Sequence, residues 1–188
     1  EPYRDLADLA RRVRLTVQQA EALAAAGAFD SFGVDRRSAL WAAGVVAAVR
    51  PEHLPGTEVG LDAPALPEMT DVELTVADVW ATGVSPRSHP IQHLRDQLDR
   101  MGAIRVDRLD EIARATGPEH PPRVLVGGLV THRQRPATAR GVTFLNLEDE
   151  SGMLNVVCSE GLWLRYRTVA ISSPALLVRG RLERSPEG

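Results

Sequence analysis

Two adjacent glycines, Gly127 and Gly128, interrupt an apolar run from Val124 to Val130. A glycine pair inside a strand pattern marks a sharp bend or a close approach of another backbone. Whatever sheet this run joins is therefore bent at its first strand. Thr131 to Arg140 reads as a loop rich in arginine, proline and alanine, and Val142 to Leu147 reads as a second strand. The turn Asp149-Glu150-Ser151-Gly152 leads into a third strand, Met153 to Cys158. Leu145 and Leu147 fall on one face, as do Leu154, Val156 and Cys158, which is period-two alternation around a Gly-containing hairpin connection. Gly161 to Thr168 suits a short helix, and Ala175 to Leu182 suits a fourth strand.

Three strands, a helix and a strand, with the first strand bent, make up most of a five-stranded OB barrel. Ser185 to Gly188 reads as the turn into a missing fifth strand; either the chain stops early or its tail is disordered. A barrel without that strand has an open edge. The expected fold class is α+β: an N-terminal helix-hairpin-helix module followed by a C-terminal OB-fold β-barrel.

The N-terminal half is helical by periodicity. Leu6, Leu9, Ala10 and Val13 recur at spacings of three and four, and Arg11, Arg12 and Arg14 sit where they complement a helix dipole. Thr16 is an N-cap for a helix over residues 17–26 with Ala20, Leu23 and Ala24 on its apolar side, and Gly27 is its C-terminal stop. A third helix runs to Val49 with Leu40, Trp41 and Val45 on one side, and Phe29 and Phe32 in the connection suit core plugs. Two helices joined by a short Gly-containing turn suggest a helix-hairpin-helix, whose helix N-terminus can face a phosphate. Arg36 and Arg37 stand at that terminus. The segment lacks the G-x-G pattern of the usual DNA-binding hairpin, which favours a structural use.

Residues 51–75 hold Pro51, Pro55, Pro64 and Pro67, six acids and no arginine or lysine, a stiff, acidic linker by composition. Leu54, Leu61, Leu66 and Met69 could dock it on a neighbour. Thr70 starts a further helix, and Pro90 suits the first turn of another that carries Ile91, Leu94, Leu98 and Met101 and ends at Gly102. Residues 107–115 form a last short helix. The expected division is a hairpin module at 1–50, a linker at 51–69, a helical connector at 70–119 and the OB domain at 120–188.

Charge bears on partners. The net charge of −3 divides into +1 over residues 1–50, −7 over 51–119 and +3 over 120–188, so a nucleic-acid surface belongs at the ends. All 22 basic residues are arginine, the side chain best suited to planar contacts with phosphate and bases. The single cysteine, Cys158, falls in a strand pattern as a small core residue, which fits a reducing, cytoplasmic setting. No apolar run approaches the ~18 residues of a membrane-spanning helix.

His132-Arg-Gln-Arg-Pro136, Thr138-Ala139, Gly141-Val142, Phe144-Leu145 and Leu147-Glu-Asp-Glu-Ser-Gly152 resemble the C-terminal OB domain of bacterial DnaE-type DNA polymerase III α subunits, and the likeness continues through Leu176-Leu-Val-Arg-Gly180. The RQRP-x-TA-x-G form with Asn155-Val156-Val157 resembles the error-prone, damage-inducible branch of that family. Ala22-Leu23, Gly27-Ala-Phe-Asp30, Arg36-Arg37 and Leu40-Trp41 resemble the family's helix-hairpin-helix region, and Ser88-His89-Pro90 with Leu94-Arg95 a segment between hairpin and barrel. The resemblance implies a parent that extends primers during damage-tolerant synthesis with Mg, a Y-family-like and a RecA-like accessory protein, and DNA as single strand or primer-template.

The candidate nucleic-acid residues are Arg133, Gln134, Arg135 and Arg140 in the loop between the first two strands, Phe144 beside it, and Arg36 and Arg37 at the hairpin. OB folds hold single strands with that loop and the face of strands two and three. The bland alternative is a solvated loop whose arginines pair with Glu148, Asp149 and Glu150. Those three carboxylates are adjacent at a hairpin, so alternate residues point apart, and two-metal catalysis needs carboxylates that converge. His89 and His93 lack the Cys, Asp or Glu neighbours of a metal site. The chain is therefore expected to be non-catalytic and to hold no cofactor of its own: it positions single-stranded template, docks the accessory proteins, or both. A stand-alone single-stranded nucleic-acid-binding OB module is the alternative.

Overall fold

Side-chain caps fix where the first helices begin. Asp5 accepts from the Asp8 N–H at 2.7 Å and starts α1 (Leu6–Arg12) at the first residue of the apolar spacing. Thr16 and Gln19 close a capping box at α2 (Val17–Ala25). Gly27, at φ +73°, ends α2: its N–H reaches the Ala24 carbonyl and the Ala28 N–H reaches Leu23, both at 3.0 Å. Asp35 caps α3 (Arg36–Ala48), and the Thr70–Glu73 capping box opens α4 (Asp71–Thr82). The computed structural model describes residues 1–50, 52–54, 59–116 and 119–184, and the chain divides into two units, Glu1–Arg87 and Ser88–Gly188. The turn expected at Ser185 to Gly188 and the prolines 51 and 55 lie outside the described residues.

Alanine builds the interior of the first unit. Ala20, Ala24, Ala39, Ala42 and Ala43 are almost wholly buried, and with Leu6, Leu9, Phe29 and Val46 they form one cluster. Small side chains let α2 and α3 approach closely. The two largest apolar residues of α3 point outward: Leu40 is 42% and Trp41 58% exposed. Phe29 and Phe32 do plug this core, with ring planes 14° apart and centroids 6.3 Å apart. The acidic proline-rich stretch is docked in part, since Leu61 packs on the cluster. Arg37 holds it from the other side, donating to the Pro67 carbonyl and to Glu73, both at 2.9 Å.

The second unit opens with a 3-10 turn, Pro90–Leu94, then α5 (Arg95–Arg100) and α6 (Val106–Thr116). The single helix expected from Pro90 onward is thus two pieces. The strands β1 (Arg123–Gln134), β2 (Thr143–Asp149) and β3 (Gly152–Cys158) follow, then α7 (Glu160–Ser172) and β4 (Ala175–Arg181). They form one antiparallel sheet in the order β3-β2-β1-β4. Together with the helical hairpin this is the α+β, OB-like arrangement anticipated.

The bend sits at the glycine pair. Arg123 to Leu129 pair with β4, whereas Leu129 to Gln134 pair with β2, so β1 changes partner immediately after Gly128. A Cβ on Gly128 would lie 3.0 Å from the Glu148 carbonyl oxygen, and one on Gly127 would lie 2.7 Å from a Leu98 methyl. At Gly128 the neighbour is β2 backbone, so the absence of a side chain lets the two strands come this close, whereas at Gly127 it is the end of the Leu98 side chain. Where β1 has left β2, the Ile104 N–H donates to the Leu125 carbonyl at 2.7 Å, so the α5–α6 connection satisfies that part of the strand edge.

Candidate nucleic-acid interface

Period-two alternation sorts β2 into two faces. Thr143, Leu145, Leu147 and Asp149 are buried, whereas Phe144, Asn146 and Glu148 face out. The register places Phe144 between Gln134 of β1 and Val157 of β3, Asn146 between His132 and Asn155, and Glu148 beside Met153. The outer face of β1–β2–β3 thus presents a half-buried phenyl ring, exposed Val157 (61%) and Met153 (55%), two asparagines, an imidazole and an amide. Asn146 donates to the Met153 sulfur at 3.4 Å. Of this set the sequence reading named only Phe144 and Gln134. The alternation that put Leu145 and Leu147 inside also put Asn146, Asn155, Met153 and Val157 outside, and that signal was available.

The four residues assigned to the first loop do not act as one group. β1 continues through Gln134, so Arg133 and Gln134 are strand residues opposite Leu145 and Phe144. The apolar pattern had stopped at Val130, but backbone pairing with β2 carries the strand onward past a register shift between Val130 and His132. Arg133 donates to the carbonyls of Ala170 and Ser173, each at 2.7 Å. These carbonyls belong to the last turn of α7 and the residue after it, where helical partners run out and a cation is favoured. Arg135 lies 3.5 Å from Glu160, both well exposed. Arg140 is exposed and adopts the left-handed conformation, φ +47° and ψ +46°, which is strained for a side chain of its size. The next residue, Gly141, is also left-handed, and a Cβ there would lie 2.7 Å from the Glu160 carboxyl carbon. Glu160 therefore sits directly under the loop.

The hairpin arginines are committed to the protein. Arg36 is buried, ion-paired with buried Asp78, and its guanidinium lies against Gly27, where a Cβ would come within 2.8 Å. Arg37 is partly exposed but holds Pro67 and Glu73. The hollow at the α3 N-terminus is lined by Asp30, Asp35 and Glu68 alongside Arg36 and Arg87, and Arg87 is itself paired with Asp30. This end of the hairpin has no surplus of positive charge for a phosphate.

Asp149 and Glu150 have a partner that the sequence reading did not name. Arg95 grips Glu150 with two bonds, 2.7 and 2.9 Å, and reaches Asp149 at 3.2 Å. Asp149 also accepts from the N–H groups of Val106, Ser151 and Gly152 and from the Ser151 hydroxyl, at 2.6–3.1 Å. Its side chain is fully buried. Burial pushes its carboxyl up, but the Ser151 and Val106 bonds and the Arg95 charge outweigh this and hold it below the ordinary range. Glu150 behaves alike, with burial opposed by Arg95. These carboxylates tie α5 and α6 to the β2–β3 turn, and the loop arginines do not touch them.

His89 caps the 3-10 turn, its Nδ1 accepting from the Ile91 N–H at 3.2 Å. Cys158 is buried, and burial pushes its thiol up. Among the described residues no cluster of three metal-ligating side chains occurs, and no helix is long and apolar enough to cross a membrane.

A helix-hairpin-helix motif family matches residues 1–39, the span of α1, α2 and the start of α3. Over 97% of its length the chain is 59% identical to an error-prone DNA polymerase of Nocardia farcinica and 56% identical to one of Mycolicibacterium paratuberculosis. Over its whole length it is 52% identical to the error-prone DNA polymerase of Cutibacterium acnes. The chain belongs to the error-prone DNA polymerase family. It spans 16% of the length of each of these polymerases, so it corresponds to a segment of that family.

Proposed function

We propose that this segment is a non-catalytic C-terminal region of an error-prone DNA polymerase that holds single-stranded template on the outer face of β1–β2–β3. The observation that carries this reading is the register that lines up Gln134, Phe144 and Val157, with His132, Asn146 and Asn155 beside them, on a face open to solvent. Phe144 offers a ring for base stacking, the amides offer sequence-tolerant hydrogen bonds, and Arg135 and Arg140 in the adjoining loop offer charge for the backbone. Mg-dependent nucleotidyl transfer belongs, in this reading, to other parts of the full polymerase, whose work is damage-tolerant synthesis in the cytoplasm. Fluorescence anisotropy with a labelled single strand at two salt concentrations tests it. Binding that weakens steeply with salt and drops about five- to a hundredfold in Phe144→Ala, the equivalent of one stacked base, is expected. No binding at low salt would refute it.

A second reading has its own observation. On α7, Leu162, Leu164, Tyr166, Val169 and Ile171 are all 45–64% exposed, and only Trp163 and Ala170 are buried. A helix this apolar on its solvent side suits a protein partner, and the Y-family-like and RecA-like accessory proteins are the candidates. Retention of either by the immobilised segment, lost in Tyr166→Glu, is the expected result.

A further inference from the structure

Among the described residues, half of the fourteen arginines of the second unit hold a carboxylate or a carbonyl as follows. Arg95 and Arg105 serve Glu150, Arg108 and Arg114 pair along α6, Arg133 holds carbonyls, Arg135 faces Glu160 and Arg184 reaches Asp110. Of the others, three lie together. Arg123 is directly opposite Arg181 across the β1–β4 ladder, and Leu125 is directly opposite Arg179. Because alternate residues share a face, and Val124, Val126 and Leu182 pack inward, Arg123, Arg179 and Arg181 all project from the outer side of that ladder. All three are exposed, and no ion pair among the described residues includes any of them.

Like charges directly opposite on an antiparallel pair repel, with Cβ atoms only about 5 Å apart. Arg179 lies on the diagonal, about 7–8 Å from Arg123, within reach of long side chains. The cluster is therefore unfavourable for the fold on its own account, and an anion shared between the guanidinium groups would relieve it. The surface between them is shaped for one. An open groove runs past Arg123 and Arg179 with Leu125, Ile104, Met101 and Gly102 in its lining, so two of the three guanidinium groups border one concave, largely polar surface.

We propose that the outer face of β1–β4 is a second nucleic-acid surface, which binds the phosphodiester backbone through Arg123, Arg179 and Arg181. It rests on the segment belonging to a DNA polymerase, but not on the β2–β3 face being a template site. Guanidinium groups favour phosphate because their planar forks match its oxygens. The contacts are to the backbone and carry no sequence preference.

The test compares wild type, the triple variant R123T/R179T/R181T and F144A for binding to a labelled single strand and a labelled duplex across a salt series, with poly-glutamate as a competing polyanion. Threonine keeps strand propensity, and removal of the facing charges leaves the thermal midpoint unchanged or raised, which guards against misfolding. The expected result is a salt slope shallower by about 2 to 3 in the triple variant, with weaker binding to every sequence tried. A larger loss on the duplex assigns the face to the paired region, and a larger loss on the single strand to the unpaired one; either supports the proposal. A triple variant that binds like wild type while F144A fails overturns it and leaves the template face standing. The converse supports it and removes the template face. Poly-glutamate that displaces DNA completely at equal charge concentration assigns the face to acidic protein and overturns it, and absence of any DNA binding by wild type overturns both.

Discussion

Asp149 concentrates more of the second unit's polar bonding than any residue of the candidate interface. Its two oxygens hold the start of α6, the β2–β3 turn and Arg95. Asp149→Asn removes the charge and leaves an amide nitrogen where a donor already points, a loss of about 3 kcal/mol at neutral pH, readable in urea unfolding. The pH dependence has a definite sign. Asp149 and Glu150 are held lower in the folded state than in the unfolded one. As pH falls, the unfolded chain takes up their protons first. The stability they lend is complete above the ordinary carboxylate range, about 4, and drains as pH drops from there through the folded values. The gap between wild type and Asp149→Asn should narrow from pH 7 toward pH 3. A gap that stays constant across that range would show that the charge is not what matters at this position.

At the scale of elements, the sequence was most legible where one local rule decided the outcome. Thr16 and Thr70 cap helices as read, Gly27 ends α2, and the alternation around the Asp149–Gly152 turn places Leu145, Leu147, Leu154, Val156 and Cys158 on the inner face. It misled where packing chose between two apolar sides. Leu40 and Trp41 are the largest apolar residues of α3, yet the alanines form its buried side because α2 lies too close for larger residues. The site was less legible than the fold, because no local pattern says that Arg36 will be buried against Asp78, 42 positions away, or that Arg133 will fold over the end of α7. Two glycines separate a required absence of a side chain from a tolerated one. At Gly128 a methyl group would press on β2 backbone at 3.0–3.1 Å, so Gly128→Ala should cost about 1–3 kcal/mol and straighten β1. Gly44, exposed within α3, has nothing within 4 Å of its Cβ position, so Gly44→Ala should stabilise by about 0.5–1 kcal/mol. Thermal melts of the two variants moving in the same direction would contradict this account of the bend.

For the whole chain, the boundary that matters energetically lies inside the helical stretch between hairpin and sheet. The first hydrophobic cluster draws its residues from the first unit, and the other two draw theirs from the second. One of the latter joins Leu109, Ile104 and Val106 to Val124, Val126 and Leu154. Composition suggested cutting before residue 120. That cut would remove Leu98 from the glycine bend, the Ile104 N–H from the edge of β1, and Arg95 from buried Asp149 and half-buried Glu150. Loss of Arg95 alone leaves buried charge uncompensated, a cost of about 3–5 kcal/mol, against a total stability of only about 5–15 kcal/mol for an ordinary domain. The fragment 88–188 should therefore unfold in a single cooperative urea transition, and the fragment 120–188 should show no sharp transition and bind a hydrophobic dye. Equal cooperativity in both would mean that α5 and α6 decorate the sheet and that the barrel's stability resides in its strands and α7 alone. The same pair of fragments separates the two DNA surfaces, because Met101, Gly102 and Ile104 wall the arginine groove of β1–β4 and contribute nothing to the Phe144 face.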